Sequence, residues 1–360
     1  MQAQEPTHER ANLSDINSDA PRVKGGAERN ASNWNRIGKD RRNWFHGFVR
    51  SPSNPIAALL PTEAFEAGGT QEDIHLIDVG SNRYGFYACS SDGTNRVIAY
   101  VVTPISSYPA GWVKCAAPVI TPGHVAGVDD VLISAPKLTE MPDGSFRLYA
   151  HAYNGSTECG VVYSTTAALF PEGWTYVGKM LERGASDSWC SADVRPEVIV
   201  PPWMAPDGLW HSIFAGNTVV GDAGFQGGHA TCADGLSFVK DESPILTPGP
   251  AGAWDSQGVH PVGQWIKANG IFYTLFQGFD GSHWRIGILE TDDFVSFYKW
   301  PFPILELGGS ADVDGGTVEN PGVVYDAATG TIDLWYCANN PYGTSAYKIC
   351  FARATGQVAP

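Results

Sequence analysis

Polar and ionisable side chains recur in this 360-residue chain at intervals of about sixty residues. One series runs Asp73, Ala135, Arg195, His260 and Asn320. Two residues further on stand His75, Lys137, Glu197, Val262 and Gly322. Two residues earlier stand Gln71, Ile133, Asp193, Gly258 and Val318, and Glu319 adjoins Asn320. Carboxylic acids gathered with cations and imidazoles suit proton-transfer chemistry, in which one carboxyl delivers a proton while an ionised second one takes a proton or attacks. Such groups must be paired, hydrated or bound to something when buried. Their mixed signs predict a prearranged site with shifted pKa values. Residues so far apart in the chain act together only if a repeated element returns each of them to one place.

The repeat is legible. The Xaa-Pro pairs Ala135-Pro136, Arg195-Pro196, His260-Pro261 and Asn320-Pro321 are spaced 60, 65 and 60. Each is followed by a short apolar run, a turn dipeptide (Asp143-Gly144, Asp207-Gly208, Asn269-Gly270, Thr329-Gly330) and an aromatic-rich run. One period earlier, DIHLIDVGSNRYGFYAC from Asp73 has the same layout without the proline. Five copies of about sixty residues, rich in strands and turns, predict an all-β, five-bladed β-propeller. A second register agrees: Pro118-Val119, Pro244-Ile245 and Pro303-Ile304 fall late in their repeats, and Asn54-Pro55-Ile56 has the same look. The segment NWFHGFVRSPSNPI is therefore expected to supply the outermost strand of the last blade, closing the ring without an exposed sheet edge. In such a fold the first strand of each blade lines the central channel, so the polar series becomes a ring about the axis.

Forty-one glycines and 25 prolines supply turns, and 42 aromatics supply packing between blades. A single propeller domain is expected over residues 36–355, with blades at about 73–123, 129–184, 188–249, 254–308 and 311–353 plus 43–58. Residues 1–35 read as a polar tail or arm, a possible route to a homo-oligomer. A net charge of −15 without a basic stripe argues against nucleic acid. No apolar run approaches the length of a spanning helix, so no membrane partner is expected. The N-terminus lacks the apolar core of a secretory signal, and the seven scattered cysteines read as buried thiols, with a Cys337–Cys350 bridge as an alternative. Together these favour the cytoplasm, or secretion if a signal peptide has been removed.

The stretch from Asp73 to Cys89, then APKLTEMPDGSFRLYAHA, then ENPGVVYDAATGTIDLWYCA resemble the blade signature of five-bladed furanosidase-type glycoside hydrolases, families 43, 32, 62, 68 and 130. The resemblance covers about 280 residues as pattern. It places Asp73 where that group carries its first-blade aspartate, and Ser134-Ala135-Pro136 echoes its Trp-Ala-Pro. There are departures: Ile74 replaces the usual proline, Lys137 stands where an acid is common, and Arg195 stands where an acid-tuning aspartate is usual. Only Glu319 keeps the Glu-x-Pro spacing, one blade late. The resemblance implies hydrolysis or related glycosyl transfer on a furanoside or small oligosaccharide, by paired carboxylates. Asp73 is then the ionised partner, or else an ion pair for Arg195. Glu197 is the proton donor, or else a salt bridge for Lys137. Asp193 orients or substitutes, and Glu319 is the alternative donor.

His75, Lys137, Arg195, His260 and Asn320 are the expected substrate-binding groups. Trp189 and Trp254, just before two inner strands, are placed at the rim to stack on a sugar, or else pack between blades. Asp129, Asp130, Asp255, Asp312 and Asp314 read as loop acids, a few of them reaching a ligand. No catalytic metal or cofactor is required; a structural Ca²⁺ or water in the channel is the expectation. The alternative reading is a non-catalytic propeller binding a carbohydrate or anionic small ligand through Arg195 and Lys137.

Overall fold

A computed structural model describes residues 45, 47–219, 223–343 and 346–355, so the N-terminal tail or arm lies outside the described residues. The fold is nearly all β: five four-stranded antiparallel sheets arranged as a five-bladed propeller. Each innermost strand sets the polar series among apolar residues such as Ile74, Ile133, Val194, Val259 and Val318 that pack between the blades. From the axis outward, blade one is Gln71–Val79, Asn82–Ser90, Arg96–Pro104 and Val113–Lys114. Blade two is Leu132–Glu140, Phe146–Tyr153, Glu158–Thr165 and Thr175–Glu182. Blade three is Asp193–Val200, Trp210–Asn217, Gln226–Cys232 and Val239–Lys240, and blade four is Gly258–Ala268, Ile271–Phe279, Trp284–Thr291 and Tyr298–Lys299. Blade five is Thr317–Asp326, Thr331–Asn339 and Lys348–Thr355, completed by Val49–Arg50 from the start of the chain. That strand pairs Val49 with Arg353 and Arg50 with Ala352, which is the closure the sequence predicts.

The turn dipeptides join first to second strands. Asn269 and Gly270 both have positive φ, 51° and 76°, the requirement of a two-residue type I′ hairpin. These hairpins lie at the end of the ring opposite the polar series.

Buried acids latch the blades from inside. Glu66 accepts hydrogen bonds from Lys114 Nζ (2.6 Å), the Tyr87 hydroxyl (2.6 Å) and Gln71 Nε2 (2.7 Å), tying the loop before blade one to three of its strands. Asp129 accepts from the Tyr163 hydroxyl and the Val125 amide, Asp255 from Lys299, and Asp314 from Arg50 and Tyr336. Asp129, Asp255 and Asp314 are thus buried anchors of blade entry loops rather than ligand-reaching loop acids. Arg50 on Asp314 also fastens the borrowed strand. Gln71, expected on the axis, is instead part of the Glu66 latch.

All seven cysteines are free. Cys350 pairs with Tyr336 while Cys337 pairs with Ile349, so the two thiols project from opposite faces of their sheet and form no bridge.

Replacing Glu66 with Gln removes the only carboxylate paired with the nearly buried Lys114 ammonium among the described residues, leaving it the Leu60 carbonyl. Breaking a buried ion pair from one side costs about 3–5 kcal/mol. Guanidinium unfolding is expected to show a loss of that size. A loss below about 1 kcal/mol, the size of an exposed pair, would show that the latch contributes no more than one.

Candidate functional site

Every inner strand breaks register where the polar series sits. The shifts fall between Glu72 and His75, Ser134 and Lys137, Pro196 and Val198, Val262 and Ile266, and Glu319 and Gly322. In three blades the ring residue itself is left-handed: Asp73, Ala135 and Asn320 have φ of 61°, 52° and 49°. Such conformations cost about 1–3 kcal/mol each in non-glycine residues and persist only where the surroundings enforce them. A bulge leaves backbone groups free of the ladder and re-aims the side chains around it.

Those groups stitch neighbouring blades together at the axis. Asp73 Oδ2 accepts from the Ala135 amide at 3.2 Å, linking blades one and two. Lys137 Nζ stands 3.3 Å from Glu197 Oε2, linking two and three. His260 Nε2 lies 2.9 Å from Glu197 Oε1, linking three and four. Gln277 Oε1 accepts from the Asn320 amide at 2.7 Å, linking four and five. Gln277 Nε2 then faces His260 Nδ1 at 3.4 Å, so the hydrogen bonds place the imidazole proton on Nε2, toward Glu197. Phe225 stacks on the His260 ring at 4.8 Å, and Trp284 meets it edge-on.

At the far end of the inner strands the channel is crossed. Gln264 of blade four accepts from the Leu76 amide (3.0 Å) and donates to the Leu76 carbonyl (2.6 Å) of blade one.

The predicted residues divide by environment. Burial opposes charge on Glu197, but Lys137, then His260 and Arg195 outweigh it and hold the carboxyl below its ordinary range. The Lys137 pairing considered for Glu197 is thus present. Arg195 Nε and Nη2 both contact Asp193 Oδ2 (2.9 and 2.6 Å), and the guanidinium also lies 5.0 Å from the centre of the Phe225 ring. Asp193 is held well below the usual carboxylate range by Arg195 against its own burial. Asp73 binds the Ala135 amide rather than forming an ion pair with Arg195. Glu319 accepts from Thr317 Oγ1 at 3.2 Å and interacts with Tyr347. His75 is buried, and desolvation followed by Lys137 pushes its imidazole down to about 3.

Trp189 and Trp254 are half-buried and pack on their own blades. Trp189 stacks on Phe214, and Trp254 packs on Phe276 while donating to the Pro301 carbonyl. Gly216 and Gly228 beneath the first, and Gly278 and Gly287 beneath the second, leave room that a Cβ would take from the indole.

Some site residues were not singled out from sequence. Glu72, next to Asp73, is ion-paired with Arg96, while burial pushes its carboxyl up and Asp73 adds to that against the arginine. Glu158 is likewise raised, by burial and by Asp193. Gln277 and His151 lie on second strands opposite the polar series, paired with His260 and Ser134. The signal that marks them is a polar residue within a largely apolar strand, opposite a ring position.

No protein-family profile matches the chain, and no curated protein matches it in sequence. Solved structures do match in shape. A β-1,2-mannobiose phosphorylase from Listeria innocua, in complex with β-1,2-mannobiose, is similar with a TM-score of 0.64 and 13% identity over 86% of this chain and 97% of its own. A thermostable family-43 glycoside hydrolase gives 0.61 and 15% over 83% and 98%. A glycosyl hydrolase from Bacteroides ovatus gives 0.63 and 14% over 88% and 97%. At these identities the likeness establishes a shared fold.

His75 sets an acid limit on stability. The unfolded chain takes up a proton near pH 6.5, whereas the folded protein resists until about 3. The stability that a neutral His75 contributes is thus complete above pH 6.5 and lost as pH falls through that window. Relative to His75→Asn, urea unfolding is expected to show the wild type losing about 2–3 kcal/mol more between pH 7 and 4.5. Parallel pH profiles for the two proteins would refute this assignment.

Proposed function

We propose that this protein is a carbohydrate-active enzyme of the glycoside hydrolase type, cleaving a furanoside or small oligosaccharide with carboxyl groups at the mouth of the central channel. The observation that carries the proposal is the division of the buried acids into two kinds. Glu197 and Asp193 are held ionised by Lys137 and Arg195, whereas Glu72, beside Asp73, is held toward its neutral form. Glycosidic cleavage needs one carboxyl of each kind on either side of the scissile bond. The fold shared with glycoside hydrolases and a mannobiose phosphorylase supports the reading by analogy.

Asp73 is the proposed ionised partner, acting as base or nucleophile. Its strained backbone at the axis keeps the carboxylate fixed against the Ala135 amide. Glu72 replaces Glu197 as the proposed proton donor, because an ionised Glu197 at neutral pH has no proton to give. Glu197 then positions His260, whose Nε2 proton is committed to it. Lys137 and Arg195 each already face an ionised acid, so these two cations offer a substrate hydrogen bonds more than net positive charge. That pattern suits a neutral sugar and favours water over phosphate as the acceptor.

Asp73→Asn, which preserves volume, is expected to lower kcat/KM at least a thousandfold on the best substrate from a panel of aryl glycosides and oligosaccharides assayed with and without phosphate. Circular dichroism should show the fold unchanged. Undiminished turnover in Asp73→Asn would remove this residue and the proposed mechanism. Saturable binding of a sugar without any product would support the non-catalytic alternative instead.

A further inference from the structure

Between blades two and three, three side chains turn toward one point that the proposed mechanism does not use. His151 lies on the second strand of blade two, and Glu158 opens the third strand of the same hairpin. Asp193 opens the inner strand of blade three. His151 and Asp193 are essentially buried. His151 Nε2, Glu158 Oε2 and Asp193 Oδ1 are buried atoms with no hydrogen-bond partner outside the cluster, where Glu158 interacts with the other two. One ligand atom from each residue lies within 4.8 Å of the others, and His151 Nε2 is 3.6 Å from Glu158 Oε2. Orphaned buried polar atoms are costly singly, and three that converge call for a shared partner.

We propose that His151, Glu158 and Asp193 form a binding site for a divalent transition-metal ion of the zinc class, bracing blade two against blade three. One imidazole nitrogen with two carboxylate oxygens suits Zn²⁺ or Mn²⁺, whereas Ca²⁺ and Mg²⁺ take oxygen ligands. Zinc bonds of about 2.0–2.2 Å hold tetrahedral donors about 3.4 Å apart. The His151–Glu158 separation already meets this, and Asp193 closes by a small side-chain rotation.

Outer contacts orient the ligands as metal sites require. Ser134 Oγ, 3.2 Å from His151 Nδ1, leaves Nε2 facing the cluster. Arg195 occupies Asp193 Oδ2 and leaves Oδ1 free. Asn154 Oδ1 accepts from the Ser156 and Thr157 amides, fixing the hairpin that carries His151 and Glu158. Glu158 also lines a cavity of about 390 Å³ with Lys179, Arg183, Ser186 and Ser191, which provides a route for the ion and for water at its open position. The ion would fix the Asp193–Arg195 pair from the side away from the axis.

The test uses the full chain, stripped with EDTA and titrated with ZnCl₂ by calorimetry, with bound metal counted by mass spectrometry after dialysis. One equivalent is expected, with an affinity at least a hundredfold weaker in Glu158→Gln, His151→Gln and Asp193→Asn, and no comparable binding of CaCl₂. Zinc should raise the melting temperature of the wild type and not of Glu158→Gln. Glu158→Gln keeps the side-chain volume. Should any variant fail to fold, crystals of the wild type soaked in zinc decide by the anomalous peak at the zinc edge. A peak among the three side chains supports the site. Absence of that peak, absence of stoichiometric binding, or binding that Glu158→Gln changes by less than threefold overturns it, leaving the two carboxyls to share a proton.

Discussion

The buried carboxylate of Glu197 is the constraint around which the axis is organised. Removing an ion from water costs several kcal/mol even after relaxation, so it persists only with charges and hydrogen bonds aimed at it. Lys137 from blade two and His260 from blade four provide them. His260 can donate only because Gln277 faces its other nitrogen, and Gln277 is oriented by the Asn320 amide of blade five. One acid in blade three thereby specifies side-chain positions in blades two and four, and through Gln277 reaches the backbone of blade five. Pairing strengthened by low dielectric is also why a single unmatched group there would be expensive.

Strain and pairing depend on one another in this arrangement. The left-handed backbone at Asp73, Ala135 and Asn320 frees the Ala135 and Asn320 amides from the ladder, and those amides are then bound by Asp73 and Gln277. Neither the kinks nor the cross-blade bonds are favourable alone. Gln264 bridging to Leu76 ties blade four to blade one beyond the polar groups.

The architecture was legible in the sequence because it rests on periodicity. The sixty-residue spacing of Xaa-Pro pairs marks both the blade count and the bulge positions, and the NWFHGFVRSPSNPI segment marks the closure. The series at Asp73, Arg195 and His260 is likewise found at the axis. Strict alternation failed where those bulges interrupt it: Gln71 belongs to the Glu66 latch, not to the channel. Trp189 and Trp254 look like rim aromatics until the glycines on the facing strands are seen to make room for them. The protonation of Glu197 and Glu72 could not be read at all, since it depends on partners 60 residues or 24 residues away in the chain, Lys137 and Arg96. His151 and Gln277 were legible in principle, as polar residues within largely apolar strands opposite ring positions.

The charge balance follows from the same pairing. Arg195 on Asp193 and Lys137 on Glu197 take up two of the cations that the sequence places near the axis, and His75 is neutral. A ligand entering the mouth meets dipoles and hydrogen-bonding atoms already held in place by other contacts. Recognition under those conditions comes from geometry. An anion would have to displace an acid from its own cation, whereas a polyol exchanges its hydrogen bonds with water for those of groups that need not move.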